Sequence, residues 1–172
     1  MTTRVPPSAT ASPSWSARPA PQSSSRLGDA IRRCSNPSVH KVVVGALVRG
    51  GRVLLVHRSP NRDAYPDVWD LPGGHIETGE TELAALRREM YEELGVQIAT
   101  GSAVHLCRLD AGRGGESVRL SAWLVDEWQG TPTNVAPDEH DEIRWFEPEE
   151  LPPLAHELLG TALVDAMLGA RP

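Results

Sequence analysis

The fold is decided by residues 74–96, which read GHIETGETELAALRREMYEELGV. Within this segment, apolar side chains recur at the spacing of one helical face, at Leu83, Leu86, Met90 and Leu94. The pattern predicts an amphipathic helix over about residues 82–94. Thr81 is a typical N-cap residue, and Gly95 is typical of the position just after the last helical turn.

The predicted helix carries three glutamates within a single turn, Glu89, Glu92 and Glu93. Side chains three or four residues apart share a helix face, so like-charged neighbours cost about 0.2–0.5 kcal/mol each. Such a run is also typical of a solvated acidic face. Here, however, the glutamates lie roughly a third of a turn from the apolar stripe and flank the buried side. This position favours a cleft in which carboxylates bind a hard divalent cation, Mg²⁺ or Mn²⁺.

The spacing of these residues resembles the signature of the Nudix hydrolases, a glycine-bounded loop, helix and loop. Gly74 is followed after five residues by Glu80, and after seven more by Arg88-Glu89-Met90-Tyr91-Glu92-Glu93-Leu94-Gly95-Val96. Every specified position is filled, and the preceding Trp69-Asp70-Leu71-Pro72-Gly73-Gly74 is similar to the strand and loop that commonly precede the signature. The resemblance covers about residues 39–168. It implies an α/β fold, the Nudix-type α/β/α sandwich with a mixed β-sheet.

The resemblance also implies an activity, the Mg²⁺-dependent hydrolysis of a phosphoanhydride bond in a nucleoside diphosphate derivative, with Mn²⁺ as an alternative cofactor. Glu89, Glu92 and Glu93 match the metal-binding glutamates, and the carbonyl of Gly74 is a further candidate ligand. Glu89 is also the candidate catalytic residue, which would orient or deprotonate the attacking water. An ion pair is expected to tie the loop to the helix. The motif positions expected to be structural are Glu80, Arg88 and Gly95.

Three residues outside residues 74–96 are candidates for the site, each with a structural alternative. Arg58 ends a predicted strand where MutT-like relatives often carry a phosphate-contacting base, but it is equally interpretable as an exposed arginine. Glu139 is a candidate further metal ligand, or part of a solvated acidic loop. Asn134 offers an amide that reads a purine edge, although asparagine is more typical of a turn. Trp69 and Trp123 are expected to pack rather than to stack on a base.

The substrate expected from the resemblance is a nucleoside triphosphate, oxidised 8-oxo-dGTP included, that is cleaved to a monophosphate and pyrophosphate. ADP-ribose or a nucleotide sugar is the alternative, weakened because Gly112 occupies the place of a proline usual in ADP-ribose hydrolases. A non-catalytic nucleotide sensor would be expected to have lost glutamates, and none is lost. An isomerase on a related scaffold would need an activated cysteine, for which Cys107 is the candidate within the domain.

The rest of the chain predicts strands around one central helix and a terminal helix. This order favours a mixed sheet covered by helices on both faces. A Gly50-Gly51 turn joins the first two strands as a hairpin, and a glycine-rich loop is predicted over residues 111–116. The predicted strands are residues 39–48, 52–57, 68–71, 104–109, 118–125 and 143–146, and the terminal helix is residues 156–168.

Composition divides the chain into a leader over residues 1–37 and a domain over residues 38–172. The leader is rich in Ser, Pro and Arg, which predicts disorder; a dispensable extension, a misplaced start and a transit peptide remain open. The net charge is −6, and the first 36 residues hold five arginines against one aspartate, so the remainder carries −10. An acidic domain is a poor partner for a nucleic-acid polymer. The nucleotide substrate is the expected partner, and a homodimer is left open.

The compartment is also constrained by composition. The most apolar stretch, residues 42–48, is far shorter than the roughly 18 residues that a membrane-spanning helix requires, so no membrane association is expected. Cys34 and Cys107 show no metal-type or redox-type spacing. Two reduced thiols suit a cytoplasmic location.

Overall fold

The computed structural model describes residues 39–113 and 116–169. The predicted leader over residues 1–37, with Cys34, lies outside the described residues. Within the described residues the strands are β1 (Val39–Arg49), β2 (Arg52–Arg58), β3 (Trp69–Asp70), β4 (Gly73–His75), β5 (Gln97–Ile98), β6 (Val104–Arg113), β7 (Glu116–Val125), β8 (Trp128–Gln129) and β9 (His140–Phe146). The two α-helices of this part of the chain are α1 (Glu82–Leu94) and α2 (Glu157–Gly169), and a 3-10 turn spans Pro148–Glu150.

The main sheet is mixed and is organised around β1. β1 pairs antiparallel with β2 and β4 and parallel with β7, and β7 continues antiparallel to β6. On the other side, β2 pairs antiparallel with both β3 and β9. Gly50 and Gly51, with φ of 60° and 76°, form the two-residue turn of the predicted hairpin. The sheet therefore brings the ends of β2, β3 and β4 close to one another.

Helices cover the two faces of this sheet. α1 buries Leu86, Met90 and Leu94 with the β1 and β2 side chains of one face, and α2 buries Leu159 and Leu163 in a second cluster on the other face. β1 is apolar over residues 42–48 because alternate residues supply the two clusters. The predicted α/β/α sandwich with a mixed β-sheet is confirmed, and α1 has the predicted bounds.

Several strands differ from the sequence-based expectation. The loop predicted over residues 111–116 is wrong at residues 111–113 and 116, because β6 and β7 stay paired as far as Arg113 and Glu116, and tertiary pairing overrides the low strand preference of glycine. Residues 114 and 115 of the predicted loop lie outside the described residues. The Pro72-Gly73-Gly74 segment leads into a strand that was not predicted, since Gly73–His75 forms β4 against residues 42–44 of β1. β9 begins at His140 rather than at residue 143. The short pair β5 and β8 was not expected at all.

Neither α1 nor α2, the two α-helices of the described residues, is long and apolar enough to cross a membrane. Each has 13 residues, which at 1.5 Å per residue is about 20 Å and so less than the hydrocarbon core.

Candidate active site

The site is built on α1, whose two ends are fixed by capping. The Thr81 hydroxyl accepts a hydrogen bond from the N–H of Ala84 at 3.2 Å. Gly95 has φ of 69° and donates its N–H to the carbonyl of Tyr91 at 3.0 Å, which ends the helix. β1 packs closely against α1 at Gly45, since a Cβ on this residue would lie 3.0 Å from Cδ1 of Leu86. The glutamates of α1 are thus held at a fixed height above the sheet.

Arg88 connects the loop before α1 with the glutamates on it. Nε and Nη2 bond to the Glu80 carboxylate at 3.2 and 3.0 Å, and Nη2 also donates to the carbonyl of His75 at 2.9 Å. Nη1 donates to Oε1 of Glu89 at 2.8 Å and to Oε2 of Glu92 at 3.0 Å. The guanidinium lowers the pKa of Glu80, and the surrounding carboxylates raise the pKa of Arg88. The expected loop-to-helix ion pair is therefore present, within a larger network.

Glu89 faces the backbone of the loop that precedes the helix. A Cβ on Gly74 would lie 2.6 Å from Oε1 of Glu89, so the glycine allows the main chain to pass beside the carboxylate. Burial raises the pKa of Glu89 above its usual range, and the charges of Glu92 and Glu139 act in the same direction, while Arg88 opposes them. Glu89 is thus a largely buried carboxylate that lies against the backbone at Gly74.

Glu93 is the most buried of the three glutamates. Its side chain is 4% exposed, against 12% for Glu89 and 55% for Glu92, so the three residues are not equivalent. Oε2 of Glu93 accepts the N–H of Gly73 at 2.8 Å, and Oε1 lies 3.9 Å from Nε2 of His140. Burial raises the pKa of Glu93 to about 8. It also lowers the pKa of His140 to about 4.

Glu139 lies close to the α1 glutamates because its loop is bound to both neighbouring elements. The N–H of Val135 donates to the carbonyl of Glu93 at 3.0 Å, and the N–H of Ser59 donates to the carbonyl of Glu139 at 2.8 Å. The charge of Glu139 raises the pKa values of Glu89 and Glu93. Its carboxylate pairs with Nη1 of Arg62 at 2.9 Å. Glu139 therefore lies within electrostatic range of Glu89 and Glu93, while its own carboxylate is paired with Arg62.

The donor set suits a hard divalent cation. Glu89, Glu92, Glu93 and Glu139 could supply carboxylates, and Gly74 could supply a carbonyl. Burial raises the pKa values of Glu89 and Glu93, and neighbouring carboxylates add to both shifts, so a positive charge placed here would stabilise the ionised forms. Over residues 39–113 and 116–169, no three such side chains are gathered into a ready metal cluster. The physical reason is that Arg88 supplies the counter-charge to Glu89 and Glu92, and Glu93 is turned towards the N–H of Gly73.

A cavity of about 290 Å³ opens beside Gly73 and Gly74, before the start of α1. Its apolar lining comes from β1, from β7 and from Leu71 just after β3. Its polar lining comes from Asp70 of β3, from the end of β2 and the loop that follows, and from histidines of β1, β4 and the residue before α2. It reaches the backbone of Gly73, Gly74 and His75, and so adjoins the glutamates of α1. The lining includes Val42, Val44, Arg58, Tyr65, Asp70, Leu71, Leu120 and His156.

Arg58 lies at the edge of this cavity, at the end of β2. Its Nε donates to the carbonyl of Tyr65 at 3.0 Å and its Nη2 to the carbonyl of Ala64 at 2.8 Å, so it holds the loop that walls the cavity. Its charge also acts on Glu93 and on His140. Arg58 therefore lines the cavity and lies within electrostatic range of Glu93.

Asn134 has the contacts of a loop residue. Its Nδ2 donates to the carbonyl of His140 at 2.6 Å, and its Oδ1 accepts the N–H of Ala136 at 3.2 Å. Both ends of the amide are thus engaged within the loop that carries Glu139. Trp69 packs edge-to-face on Phe146 with ring centroids 4.9 Å apart, and Trp123 packs against the core of α1.

Sequence reasoning missed four residues at the site. Asp70 and His140 are buried polar residues, Arg62 pairs with Glu139, and His156 lines the cavity. A carboxylate between the apolar neighbours Trp69 and Leu71 was a usable signal for Asp70. No local pattern marks the other three, because the loops that bring them in are fixed by long-range hydrogen bonds.

Comparison with known proteins identifies the family to which this fold and residues 74–96 belong. The model of the NUDIX domain matches residues 39–163, which includes every element that bears the site. The chain belongs to the Nudix family. Within that family it is a MutT-like hydrolase. A CTP pyrophosphohydrolase of Escherichia coli (strain K12) is 33% identical over 110 residues, which are 64% of this chain and 77% of that relative.

Two further comparisons agree with this assignment. A MutT-like protein of Streptomyces ambofaciens is 27% identical over 144 residues, covering 82% of this chain and 86% of the relative. Among solved structures, the MutT NUDIX hydrolase of Burkholderia pseudomallei superposes with a TM-score of 0.65 at 34% identity, covering 72% of this chain and 95% of that structure. The Nudix domain of this chain thus resembles whole relatives rather than a fragment of them.

Proposed function

We propose that this Nudix hydrolase cleaves a nucleoside triphosphate to a nucleoside monophosphate and pyrophosphate in a Mg²⁺-dependent reaction. One observation carries the proposal: a cavity of about 290 Å³ opens onto Gly73 and Gly74, beside the carboxylates of Glu89 and Glu93. A base held in the cavity would direct its phosphates towards these carboxylates. Glu89, Glu92, Glu93, Glu139 and the Gly74 carbonyl would hold Mg²⁺, which would supply positive charge to offset that of the phosphates.

The protein's own residues divide the remaining work. Water attacks a phosphorus atom of the anhydride, the bond from that phosphorus to the bridging oxygen breaks, and pyrophosphate leaves. Glu89 is proposed to orient the water and to accept its proton, since burial raises the pKa of Glu89 towards the operating range of a general base. Arg58 is proposed to contact a phosphate with Nη1, which has no hydrogen-bond partner in the described part of the chain. Asn134 would first have to release its two loop hydrogen bonds to contact the base.

A triphosphate is favoured over the alternatives. The E. coli relative carries the name CTP pyrophosphohydrolase, and the MutT-like resemblance extends the proposal to oxidised purines such as 8-oxo-dGTP. ADP-ribose or a nucleotide sugar remains the alternative substrate. A non-catalytic sensor is disfavoured because all the signature glutamates are present. An isomerase is disfavoured because burial raises the pKa of the Cys107 thiol, which is the opposite of activation.

The proposal is tested with a panel of nucleotides, each incubated with Mg²⁺, with Mn²⁺ and with EDTA. The panel should contain the common ribo- and deoxyribonucleoside triphosphates, 8-oxo-dGTP, ADP-ribose and a nucleotide sugar. We expect pyrophosphate and monophosphate from at least one triphosphate, and no product in EDTA. Absence of turnover across the whole panel, or cleavage confined to ADP-ribose or the nucleotide sugar, would overturn the proposal.

A cytoplasmic location accompanies the proposal, since Cys107 is a free thiol within the described residues. Recovery of the native protein from a membrane or secreted fraction would contradict the cytoplasmic location.

A further inference from the structure

His140 is a buried histidine that the proposed reaction does not use. It is the first residue of β9, and only 2% of its surface is exposed. Its Nδ1 is buried and has no hydrogen-bond partner among the residues that the structure describes. Because buried polar atoms are normally paired, and strain is stored mainly at functional sites, a nitrogen of this kind calls for a role besides packing.

The main chain of His140 is held by two elements. In the ladder between β2 and β9, His140 is paired with Arg58. Its N–H donates to the carbonyl of Ala136 at 3.0 Å, and its carbonyl accepts a hydrogen bond from Nδ2 of Asn134 at 2.6 Å. Because the main chain is bonded to the loop before β9 and paired with β2, the imidazole ring starts from a fixed position.

The ring faces Glu93, one of the proposed metal ligands. Nε2 of His140 lies 3.9 Å from Oε1 of Glu93, and both side chains are buried. Oε2 of the same carboxylate accepts the N–H of Gly73 at 2.8 Å. Glu93 is thus held at one oxygen by the backbone before α1, and its other oxygen is approached by His140.

The surroundings of the two ring nitrogens favour one tautomer of His140. A hydrogen on Nε2 can be donated to the carboxylate of Glu93, whereas a hydrogen on Nδ1 would be buried without an acceptor in the described part of the chain. Bonds of the type N–H···O have lengths of about 2.7–3.2 Å, so an approach of roughly 1 Å would convert the contact between Nε2 and Oε1 into a hydrogen bond. His140 is therefore a donor placed next to a metal ligand.

We propose that His140 is a positioning residue, whose Nε2–H donates to Oε1 of Glu93 and holds this carboxylate in the orientation that binds the divalent cation. The inference rests on the proposed function, because it takes Glu93 to be a metal ligand. Groups that bond to metal-binding carboxylates orient them, and loss of such a group typically weakens metal binding by about 10–100-fold. His140 follows Glu139 in the chain, so it ties the candidate ligand of the loop to a ligand of α1.

The direct test is binding of Mn²⁺ to the full chain without nucleotide, measured from the electron paramagnetic resonance signal of the free ion. We expect His140→Leu, which removes the donor, to bind Mn²⁺ about 10–100-fold more weakly than the wild type. His140→Gln should recover most of this loss, because its amide offers an N–H close to the place of Nε2. His105→Leu, at an exposed histidine of β6, should bind Mn²⁺ as the wild type does. Wild-type affinity in His140→Leu overturns the inference.

A double-mutant cycle separates the positioning of Glu93 from general support of the loop before β9. In a Glu93→Gln background, we expect His140→Leu to cause little further loss of Mn²⁺ affinity, because the ligand that His140 positions is already absent. A purely structural histidine would weaken binding by the same factor in both backgrounds. Equal factors in the two backgrounds therefore contradict the inference.

The wild-type protein provides a second test if the His140 variants do not fold. With ¹⁵N-labelled histidine, we expect the ring hydrogen of His140 on Nε2 rather than on Nδ1. Its nuclear magnetic resonance signal should move downfield when Mg²⁺ is added, since the hydrogen bond to Glu93 shortens. A hydrogen on Nδ1, or a signal that Mg²⁺ does not move, overturns the inference.

Mn²⁺ binding and triphosphate hydrolysis together distinguish failure of this inference from failure of the proposed function. Equal Mn²⁺ affinities of the wild type and His140→Leu, with normal turnover of a triphosphate, reject only the role of His140. The expected loss of affinity in His140→Leu, without turnover of any triphosphate by the wild type, rejects only the proposed reaction. A wild-type protein that binds no Mn²⁺ rejects both.

Discussion

Nη1 of Arg88 lies 2.8 Å from Oε1 of Glu89, on the adjacent residue of the same helix. The same nitrogen reaches Glu92, and the other nitrogens of this guanidinium hold Glu80 and the carbonyl of His75. One guanidinium thus offsets part of the negative charge of three carboxylates that would otherwise repel one another more strongly. Arg88 is 25% exposed, so the network is only partly screened by water. Arg88 and a divalent cation would therefore both reduce the repulsion between the carboxylates of α1.

The shared task of Arg88 and the cation leads to a prediction about metal removal. In Arg88→Gln, we expect the protein to lose about 1–2 kcal/mol of stability in EDTA, a value discounted for partial exposure. Mg²⁺ should restore more stability to the variant than it adds to the wild type, because oxygens held by Arg88 become free for the cation. Thermal unfolding with and without Mg²⁺ measures both effects. Arg119→Gln removes the exposed pair with Asp110 and serves as the control. Equal Mg²⁺-induced shifts in Arg88→Gln and wild type would contradict the shared role.

Substitution of Glu89 tests the proposed chemistry. Glu89→Gln retains the size of the side chain and one acceptor for Arg88, but it cannot accept a proton from water. We expect kcat to fall by at least about 10²-fold, the lower end of what general-base catalysis contributes, with an unchanged circular dichroism spectrum. Glu127→Gln, at an exposed residue between β7 and β8, should leave kcat unchanged. Wild-type turnover in Glu89→Gln would remove this residue from its proposed role.

Gly74 tests the close approach of the loop to the helix. In Gly74→Ala, the new Cβ would lie 2.6 Å from Oε1 of Glu89, so the carboxylate must move. We expect kcat to fall by roughly ten- to a hundredfold, since a displacement of about 1 Å in a positioned group has effects of that size. Gly101→Ala meets nothing within 4 Å and should leave kcat unchanged. Equal kcat values for the two alanine variants would contradict a positioning role for Gly74.

The contrast between α1 and its surroundings explains which features could be predicted from sequence. The bounds of α1 and its caps follow from local periodicity and from Thr81 and Gly95, so they were predictable. β4 was not, because Gly73 and Gly74 are poor strand formers and pair only where β1 offers its backbone. In the site, likewise, the residues that sequence spacing marks were predictable, and these are Glu89 and its neighbouring glutamates.

The unequal burial of the glutamates had no local signal. Glu93 is buried because the N–H of Gly73 and the side chain of His140 lie against it, and both arrive through long-range contacts. Asp70 shows the same limit: its apolar neighbours in sequence predict burial, but not the cavity that its carboxyl group lines. Pairwise geometry, rather than spacing along the chain, distinguishes these carboxyl groups.

The N-terminal segment gives a prediction that rests on composition alone. Residues 1–37 lack hydrophobic periodicity and are rich in Ser and Pro, so their deletion removes little apolar surface from a core. We expect the shortened chain to unfold at the same temperature and to hydrolyse the same nucleotides at the same rates. Differential scanning calorimetry and steady-state kinetics on both lengths measure this. A lower unfolding temperature in the shortened chain would show that the segment packs on the domain.

Asp70 should also leave a signature in the pH dependence of stability. Burial raises its folded-state pKa above the unfolded value of 3.8, despite the opposing charges of Arg58 and His156. Above that value the folded state binds more protons at Asp70 than the unfolded state does, so its contribution to the free energy of unfolding falls as pH rises through the folded-state pKa. Asp70→Asn has no titrating carboxyl group at this position. We therefore expect the stability of the variant relative to wild type to increase from below pH 3.8 towards neutrality. Urea unfolding across that range measures the difference, in which the contributions of groups that titrate alike in both proteins cancel. A difference that is constant with pH would mean that Asp70 does not titrate with a raised pKa.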